Sequence, residues 1–250
     1  MRVAILAGGL GSRLSSETRD KSKAMVTIAD QPILWHVMKY YASFGLNDFV
    51  IALGYQADSI RDYFARAGYR EIGAEEGAWQ RWRRGEWTVD LVDTGPETQN
   101  GGRIKRLAPY VGRGTFMLTW CDGLANVDLD RLLTFHRDHG RLATLTAVQP
   151  ANRFGRLTLE GDRIVAFREK TVDERDWVNG AYFVLEPEVL ERIAGDHTSF
   201  EYDVLTRLAA EGELMAFRHP AFWQCMDTIH EARLLNAMWN KGEAPWKVWE

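Results

Sequence analysis

The residues best suited to bind phosphate lie in a glycine-rich loop near the start of the chain. The loop reads LAGGLGSRL over residues 6–14, and the apolar run at residues 2–6 predicts a buried strand that leads into it. Its three glycines allow the backbone to approach a ligand closely, with bare N–H groups directed at phosphate oxygens. Arg13 and Lys23 add positive charge nearby. The pattern predicts a site for a polyanion.

Two well-known phosphate motifs do not fit this loop. Residues 9–14 lack the third glycine of the dinucleotide-binding motif, and no Gly-Lys-Ser/Thr follows, as a P-loop requires. A dinucleotide-dependent oxidoreductase is therefore disfavoured. Charge alone does not distinguish Lys23 from Arg19 and Lys21, although an exposed surface position suits Lys21 better.

Two aspartates are candidates for metal binding. Asp122 follows the apolar residues 116–121, and Asp227 follows the apolar residues 222–226. A carboxylate at the end of a buried strand is well placed to hold Mg²⁺, which usually takes one or two protein carboxylates. For Asp122 the alternative is an aspartate in a turn, which is common before glycine. Only the fold can make these two acids neighbours.

A second glycine pair, Gly101-Gly102, follows the strand predicted at residues 88–93. We expect a polar turn over residues 94–103 and then a short helix that begins near Ile104. A glycine pair at a helix entry brings backbone N–H groups toward a ligand, so this turn is a further candidate for binding a nucleotide.

The overall composition favours a globular enzyme. The 250 residues are 46% hydrophobic and carry a net charge of −4, which argues against a nucleic-acid surface. No apolar segment approaches the roughly 20 residues that span a bilayer. No secretory signal is visible, so we expect no membrane partner and a cytoplasmic location. No linker or repeat divides the chain, which predicts a single domain over residues 1–250.

The order of apolar runs predicts an α/β fold with a mostly parallel, mixed central sheet flanked by helices. In such sheets ligands bind beyond the carboxyl ends of the strands, where the glycine loop lies. Residues 154–167 predict an antiparallel hairpin inserted into this order. The main predicted strands occupy residues 2–6, 49–53, 88–93, 116–121, 143–148 and 214–218, and the main predicted helices occupy residues 33–41, 58–67, 129–139 and 230–241.

Residues 73–87 form an unusual segment in which tryptophan is interleaved with arginine. Such a segment could stack on a nucleobase or bind a single strand. We favour a variable, extended arm whose tryptophans are buried against a neighbouring subunit, because tryptophan and arginine are enriched at interfaces.

The glycine loop and Lys23 together resemble the signature of the sugar-1-phosphate nucleotidylyltransferases, which reads LAGGxGT/SRL before a lysine. Six further blocks match in the same order, so the resemblance covers nearly the whole chain, in particular to the glucose-1-phosphate cytidylyltransferases. The blocks are QPILWH at 31–36, LVDTG at 91–95, GGRIKR at 101–106, FREK at 167–170, FWQCMDT at 222–228 and KGEAPWK at 241–247.

This resemblance implies a Rossmann-like nucleotidyltransferase fold and a reaction in which CTP and a sugar 1-phosphate, for which glucose 1-phosphate is the first candidate, give a CDP-sugar and pyrophosphate. It also implies Mg²⁺, a homo-oligomer and a role in polysaccharide biosynthesis. Arg13 and Lys23 are the implied catalytic residues. The residues implied to bind the nucleotide are Leu6, Gly8, Gly9, Gly11, Ser12, Arg13, Lys23, Asn100, Gly101 and Arg103. Those implied to bind the sugar phosphate are Asp122, Glu169, Lys170, Asn179 and Gly180, and the implied metal ligands are Asp122 and Asp227.

Two positions depart from the family pattern. Asn100 stands where threonine is usual, and Ala181 occupies the third place of the usual Asn-Gly-Gly. These departures leave open a CTP-dependent cytidylyltransferase that acts on a different phosphorylated acceptor. A catalytically silent regulatory subunit that binds nucleotide sugars is a further alternative. The silent subunit is disfavoured because all the cationic and acidic candidates are present together, whereas an inactive relative would be expected to lose at least one of them.

Overall fold

The computed structural model describes residues 1–9, 18, 20–150, 156–160, 163–168 and 177–249. The strands are β1 Arg2–Leu6, β2 Thr27–Ile28, β3 Gln31–Pro32, β4 Asp48–Leu53, β5 Arg70–Glu75, β6 Trp79–Arg84, β7 Trp87–Asp93, β8 Phe116–Trp120, β9 Gly123–Ala125, β10 Ala143–Val148, β11 Arg156–Glu160, β12 Arg163–Arg168, β13 Val178–Leu185, β14 Leu214–His219 and β15 Trp223–Cys225. The α-helices are α1 Ile33–Ala42, α2 Ala57–Arg66, α3 Asn100–Arg106, α4 Ala108–Val111, α5 Leu129–His139, α6 Thr206–Ala210 and α7 Ile229–Asn240. Short 3₁₀ helices cover Lys23–Met25 and Pro187–Arg192, and a π-helical segment covers Phe200–Leu205. None of the described helices is long and apolar enough to cross a membrane.

Within the described residues, a sheet of nine strands forms the centre of the fold, in the order β14-β10-β13-β8-β1-β4-β7-β6-β5. Pairing is parallel from β8 through β1 and β4 to β7, whereas β13 runs antiparallel to β8 and to β10. The predicted α/β class with a mixed central sheet is therefore confirmed, but the sheet is not mostly parallel: among its described strands four pairings are parallel and four are antiparallel, because β13 and the β5–β6 hairpin reverse direction. Separately, β11 and β12 form the predicted antiparallel hairpin.

Alternate residues of the central strands enter two hydrophobic cores, one on each face of the sheet. In β1, Val3 and Ile5 enter one core, while Ala4 and Leu6 enter the other. The first core includes residues of α1, α2, α5 and α7, and the second includes residues of α3, α4 and the helical segments between β13 and β14. Burial on both faces explains why these strands read as continuous apolar runs.

The central strands end at one level, and the glycine loop starts there. Leu6 pairs with Ala52 of β4 and with Trp120 of β8. The chain then stays attached to β4 and to the turn after it for two more residues, because the N–H of Ala7 donates to the carbonyl of Ala52 and the carbonyl of Gly8 accepts from the N–H of Tyr55, both at 3.1 Å. The loop therefore leaves the sheet at the edge where ligands bind in such folds.

The segment predicted to be an extended arm contributes an antiparallel hairpin at one end of the sheet. β5 pairs with β6, and β6 pairs with β7. Trp82 is buried in a core of its own chain, at 7% exposure, while Trp79 and Trp87 are half-buried. Trp82 therefore needs no neighbouring subunit for its burial. A subunit contact through this segment stays a prediction.

The helix expected from Ile104 begins earlier, at Asn100, with Gln99 as its N-cap, so the predicted turn over residues 94–103 was too long. The glycine pair lies in the first turn of α3. A Cβ at Gly101 would lie 2.5 Å from the carbonyl oxygen of Thr198, and one at Gly102 would lie 2.6 Å from Cα of Asp196. The pair lets α3 pack directly on a remote backbone segment, which local sequence patterns do not reveal.

β13 carries a bulge beside β10. Leu145 pairs with Phe183, whereas Ala147 pairs with Asn179, so the register shifts between the two pairs. Ala181 lies in this bulge with φ 61°, in the left-handed region where residues other than glycine are strained.

We expect Ala181→Gly to raise the free energy of unfolding by about 0.5–1 kcal/mol, because loss of the left-handed strain outweighs the extra chain entropy of glycine. Ala143→Gly in β10 is the matched control. It is expected to lower the free energy of unfolding, since Ala143 is fully buried and lies outside the left-handed region. Denaturant unfolding followed by circular dichroism measures both variants, and equal destabilisation would contradict strain at residue 181.

Candidate active site

A cavity of about 710 Å³ opens beyond the carboxyl ends of β1 and β8. Its volume falls within the range of about 300–1,000 Å³ that is usual for small-ligand sites. The lining residues are Leu6, Ala7, Gly8, Gly9, Lys23, residues 96–100, Arg103, residues 120–122 and Asp227. The structure thus brings together at one cavity the described part of the glycine loop, the start of α3 and both predicted metal ligands.

The side chains of Lys23, Asp122 and Asp227 form an ionic group that we call the acid–lysine cluster. Lys23 Nζ lies 2.6 Å from Asp122 Oδ2 and 2.5 Å from Asp227 Oδ1. Burial by itself would lower the pKa of the Lys23 ammonium, but the two carboxylates outweigh burial and hold that pKa above its usual value. The Lys23 ammonium therefore stays protonated in the cavity. Because two carboxylates surround this one ammonium, the cluster as a whole carries an excess of negative charge.

The two aspartates meet because β9 pairs with β15. Gly123, directly after Asp122, is opposite Cys225 in this antiparallel pair. The N–H of Met226, directly before Asp227, donates to the carbonyl of Asp122 at 2.8 Å. Neighbouring backbone atoms thus hold the two acids side by side, although the residues are remote in sequence.

Ser22 anchors Lys23 to the glycine loop. Its hydroxyl donates to the carbonyl of Ala7 at 3.2 Å and accepts from the N–H of Ala24, which caps the 3₁₀ helix Lys23–Met25. Its own N–H donates to Ser59 Oγ of α2 at 2.9 Å. Ser22 is not among the predicted site residues, although a serine before a helical turn is a recognised capping signal.

Arg103 packs over Gly8 and ties the glycine loop to the neighbouring loops. Its guanidinium is buried, with 5% of the residue exposed, and it donates to Thr94 Oγ1 and to the carbonyls of Leu53, Gly95 and Pro96 at 2.7–3.1 Å. Burial lowers the pKa of this group. None of these described acceptors is a carboxylate, so the cavity wall carries a positive charge that a bound anion would complement.

Asn100 lines the cavity, but its side chain is engaged within the protein. The amide donates to Glu201 Oε2 at 2.5 Å, and its carbonyl oxygen accepts from the N–H groups of Gly101 and Phe200. The residue therefore joins the start of α3 to the π-helical segment Phe200–Leu205.

Asn179 and Gly180, predicted to bind the sugar phosphate, lie on β13 and do not line this cavity. Asn179 Oδ1 accepts from the N–H of Ala181 at 2.8 Å, and the carbonyl of Gly180 accepts from Trp223 Nε1 of β15 at 2.8 Å. A Cβ at Gly180 would lie 2.7 Å from Val148 Cγ1, so packing explains this glycine.

Five of the predicted site residues lie outside the described residues, and their roles stay predictions. They are Gly11, Ser12, Arg13, Glu169 and Lys170.

The cluster has the donor set that a divalent cation needs. Two carboxylates already face one cationic centre, and the Lys23 ammonium occupies that position. Mg²⁺ usually binds through one or two protein carboxylates and completes its shell with water and phosphate oxygens. No group of three or more histidine, cysteine, aspartate or glutamate side chains suited to a metal occurs in the described part of the chain, which sets this site apart from an all-protein metal cage.

Comparison with known proteins finds relatives of this chain by sequence and by fold. The model of the nucleotidyl transferase family matches residues 2–233. The chain is 45% identical to glucose-1-phosphate cytidylyltransferase from Salmonella typhi over an alignment of 257 positions, gaps included. It is 38% identical to a probable glucose-1-phosphate cytidylyltransferase from Bacillus subtilis over 255 positions, and both chains are covered in full each time. The crystal structure of HddC from Yersinia pseudotuberculosis has the same fold, with a TM-score of 0.73 and 24% identity over 95% of this chain and 99% of that one.

We expect Gly8→Ala to lower the free energy of unfolding by about 1–3 kcal/mol, the usual cost of overpacking. The added Cβ would lie 2.6 Å from Arg103 Cζ, and the bonds that hold this guanidinium prevent it from moving aside. Gly9→Ala is the matched control, because a Cβ there meets nothing within 4 Å and no left-handed φ is involved. Thermal unfolding of both variants measures the difference, and equal stability would show that Arg103 does not require glycine at residue 8.

Proposed function

We propose that this chain, which belongs to the nucleotidyl transferase family, transfers a cytidylyl group from CTP to glucose 1-phosphate. The observation that carries the proposal is the acid–lysine cluster beside the glycine loop, in a cavity of nucleotide size. The choice of substrates is supported by full-length relatives at 45% and 38% identity that are named as glucose-1-phosphate cytidylyltransferases, the second of them as a probable one.

The reaction forms one bond and breaks one. A phosphate oxygen of glucose 1-phosphate attacks the α-phosphorus of CTP in line, and the bond from that phosphorus to the bridging oxygen of the β-phosphate breaks. The products are CDP-glucose and pyrophosphate. No general base is required, because a phosphomonoester is largely ionised at neutral pH. Catalysis then depends on positioning and on stabilisation of charge.

The nucleotide site consists of the glycine loop and the start of α3. Backbone N–H groups of the loop at Gly8, Gly9, Gly11 and Ser12 hold the triphosphate together with Arg13. Lys23 neutralises the charge that develops at the α-phosphate, where a preorganised cation shielded from water is most effective. Leu6, Asn100 and Arg103 complete the walls around the nucleotide, and Gly101 supports them indirectly by letting α3 pack on the backbone of Thr198.

The sugar phosphate is held from the side of β12 and β13. Lys170 supplies a point charge for the attacking phosphate. Glu169 and Asn179 bond to sugar hydroxyls, and Gly180 contributes only its backbone to this half of the site, because the space where a side chain would be is filled by Val148. Asp122 lies between the two substrates. The methyl group of Ala181 influences which sugar fits the site, so a preference for a different sugar would arise at this residue.

Asp122 and Asp227 are the residues that hold Mg²⁺, because their carboxylates converge on one cationic position. When bound, the ion neutralises phosphate charge and orients the phosphate groups. The Lys23 ammonium, which pairs with both carboxylates in this structure, would be released to the α-phosphate when the ion binds to them.

We further propose that the protein works in the cytoplasm as a homo-oligomer, for a pathway that makes surface polysaccharide. The hairpin of β5 and β6 is the proposed subunit contact. It lies at the edge of the sheet, and Ile72 on it is 40% exposed.

The function is tested by pyrophosphate release with Mg²⁺ over a grid of nucleoside triphosphates and phosphorylated acceptors. We expect rapid release with CTP and glucose 1-phosphate, and slow or no release in the other combinations. Release with CTP and a different acceptor would support cytidylyl transfer as the reaction but would show that glucose 1-phosphate is not the acceptor. No release from folded protein in any combination would refute the proposal and favour a nucleotide-sugar-binding regulatory subunit.

We expect Lys23→Ala and Asp227→Ala each to lower kcat on the order of 100-fold or more, as is typical when a preorganised charge contact is lost. Lys21→Ala is the matched control, because Lys21 comes from the same segment but lines a separate groove beside Tyr63 and Arg66. It is expected to keep nearly normal turnover. Steady-state pyrophosphate release measures all three, and near-normal turnover in the first two would contradict the assigned roles.

A further inference from the structure

Glu231 is a buried carboxylate beside the acid–lysine cluster to which the mechanism above gives no role. It lies in the first turn of α7, and only 3% of the residue is exposed. A carboxylate so deeply buried must be compensated by hydrogen bonds. We infer that Glu231 is a positioning residue that fixes Asp227 for the reaction, an inference that rests on the proposed function.

The contacts of Glu231 are directed at the backbone around Asp227. Its Oε2 accepts from the N–H of Asp227 at 2.7 Å and from the N–H of Thr228 at 2.8 Å. Thr228 Oγ1 donates to the same oxygen at 3.1 Å and accepts from the N–H of Glu231 at 3.3 Å. Residues 228 and 231 thus form a capping box. The bond to Asp227 is an addition to that motif, since a capping box by itself uses only the N-cap and N3 residues.

Asp227 is consequently held on both sides along the chain. Before it, the N–H of Met226 is bonded to the carbonyl of Asp122. After it, Glu231 holds the N–H groups of Asp227 and Thr228. These bonds set the backbone from which the Asp227 carboxylate reaches Lys23 Nζ at 2.5 Å.

Within the described residues, two features stabilise the negative charge of Glu231 next to another acid. The N-terminus of the 12-residue helix α7 favours an anion, and the N–H bonds to Oε2 are of the strong, charge-assisted kind. In addition, Cys225 Sγ lies between the two carboxylates, 3.9 Å from Asp227 Oδ2 and 3.8 Å from Glu231 Oε1. Glu231 Oε2 is therefore directed at the backbone, while Asp227 Oδ1 faces Lys23.

The test compares kcat and KM of four variants below their unfolding temperatures, with CTP and glucose 1-phosphate. We expect Glu231→Ala to lower kcat about 10- to 100-fold, as is usual when the partner that orients a ligand residue is lost. The KM for CTP should change little, because the glycine loop is intact. Glu231→Gln should recover most of kcat, since its amide oxygen accepts the same N–H bonds. Glu231→Asp keeps the charge but is too short to reach Asp227, so it should lower kcat even if Glu231→Ala does not fold.

Asp128→Ala is the matched control. It removes another capping carboxylate, which accepts from the N–H of Arg131 at 2.9 Å at the start of α5 and does not line the cavity. This variant should lose stability but keep its kcat. A wild-type kcat in both Glu231→Ala and Glu231→Asp, or a loss no larger than that of Asp128→Ala, would overturn the inference.

Crystal structures of the Glu231 variants give a readout that does not depend on activity. In Glu231→Asp and Glu231→Ala, Asp227 Oδ1 should lie beyond about 4 Å, the limit of an ion pair, from Lys23 Nζ. In Glu231→Gln the contact should remain. An unchanged Asp227 in the first two would overturn the inference. Wild-type protein without turnover would instead refute the proposed reaction, and the crystal structures would still decide whether Glu231 positions Asp227.

Discussion

The site of this protein depends on one ammonium group held between two carboxylates. Lys23 comes from the N-terminal loop region, Asp122 from the end of a central strand, and Asp227 from the segment before the C-terminal helix. The three side chains are only 12–26% exposed. At this depth, loss of one partner leaves a poorly solvated charge, which costs more than the intact group contributes. The contact is therefore sensitive to the backbone position of all three segments.

Each of those backbone positions has its own support. Ser22 bonds the start of the Lys23 turn to Ala7, where β1 gives way to the glycine loop. The pairing of β9 with β15 places Asp122 beside Asp227. Glu231, in the first turn of α7, accepts a hydrogen bond from the N–H of Asp227. On the opposite wall, Arg103 holds the loops beyond β4 and β7 against Gly8. A site built this way has its charges oriented before substrate arrives, which is the condition for effective electrostatic catalysis.

Much of this arrangement follows from local sequence patterns, because burial and helix formation leave a periodic signal. The apolar run at β1 and the stripe of α5 are such signals, and α5 begins and ends at the predicted residues Leu129–His139. Asp122 and Asp227 also stand out, since each is a carboxylate that directly follows an apolar run, whereas Lys23 is distinguished from Arg19 and Lys21 only by its spacing and by the family resemblance. What the patterns do not show are contacts between remote segments. The two glycines of α3 are required because the backbone at residues 196–198 packs directly against them. Trp82 is buried in a hydrophobic core, although the charged residues next to it in sequence suggest an exposed segment.

The most direct measurement of the central claim is a double-mutant cycle on kcat, with Lys23→Ala, Asp227→Ala and the variant that carries both changes, assayed with CTP and glucose 1-phosphate. If the ammonium and the carboxylates act as one unit, the double variant should lose about as much activity as the more damaging single variant, because groups that act together are strongly non-additive. Losses that multiply would mean that the two side chains act independently, and that result would contradict the account.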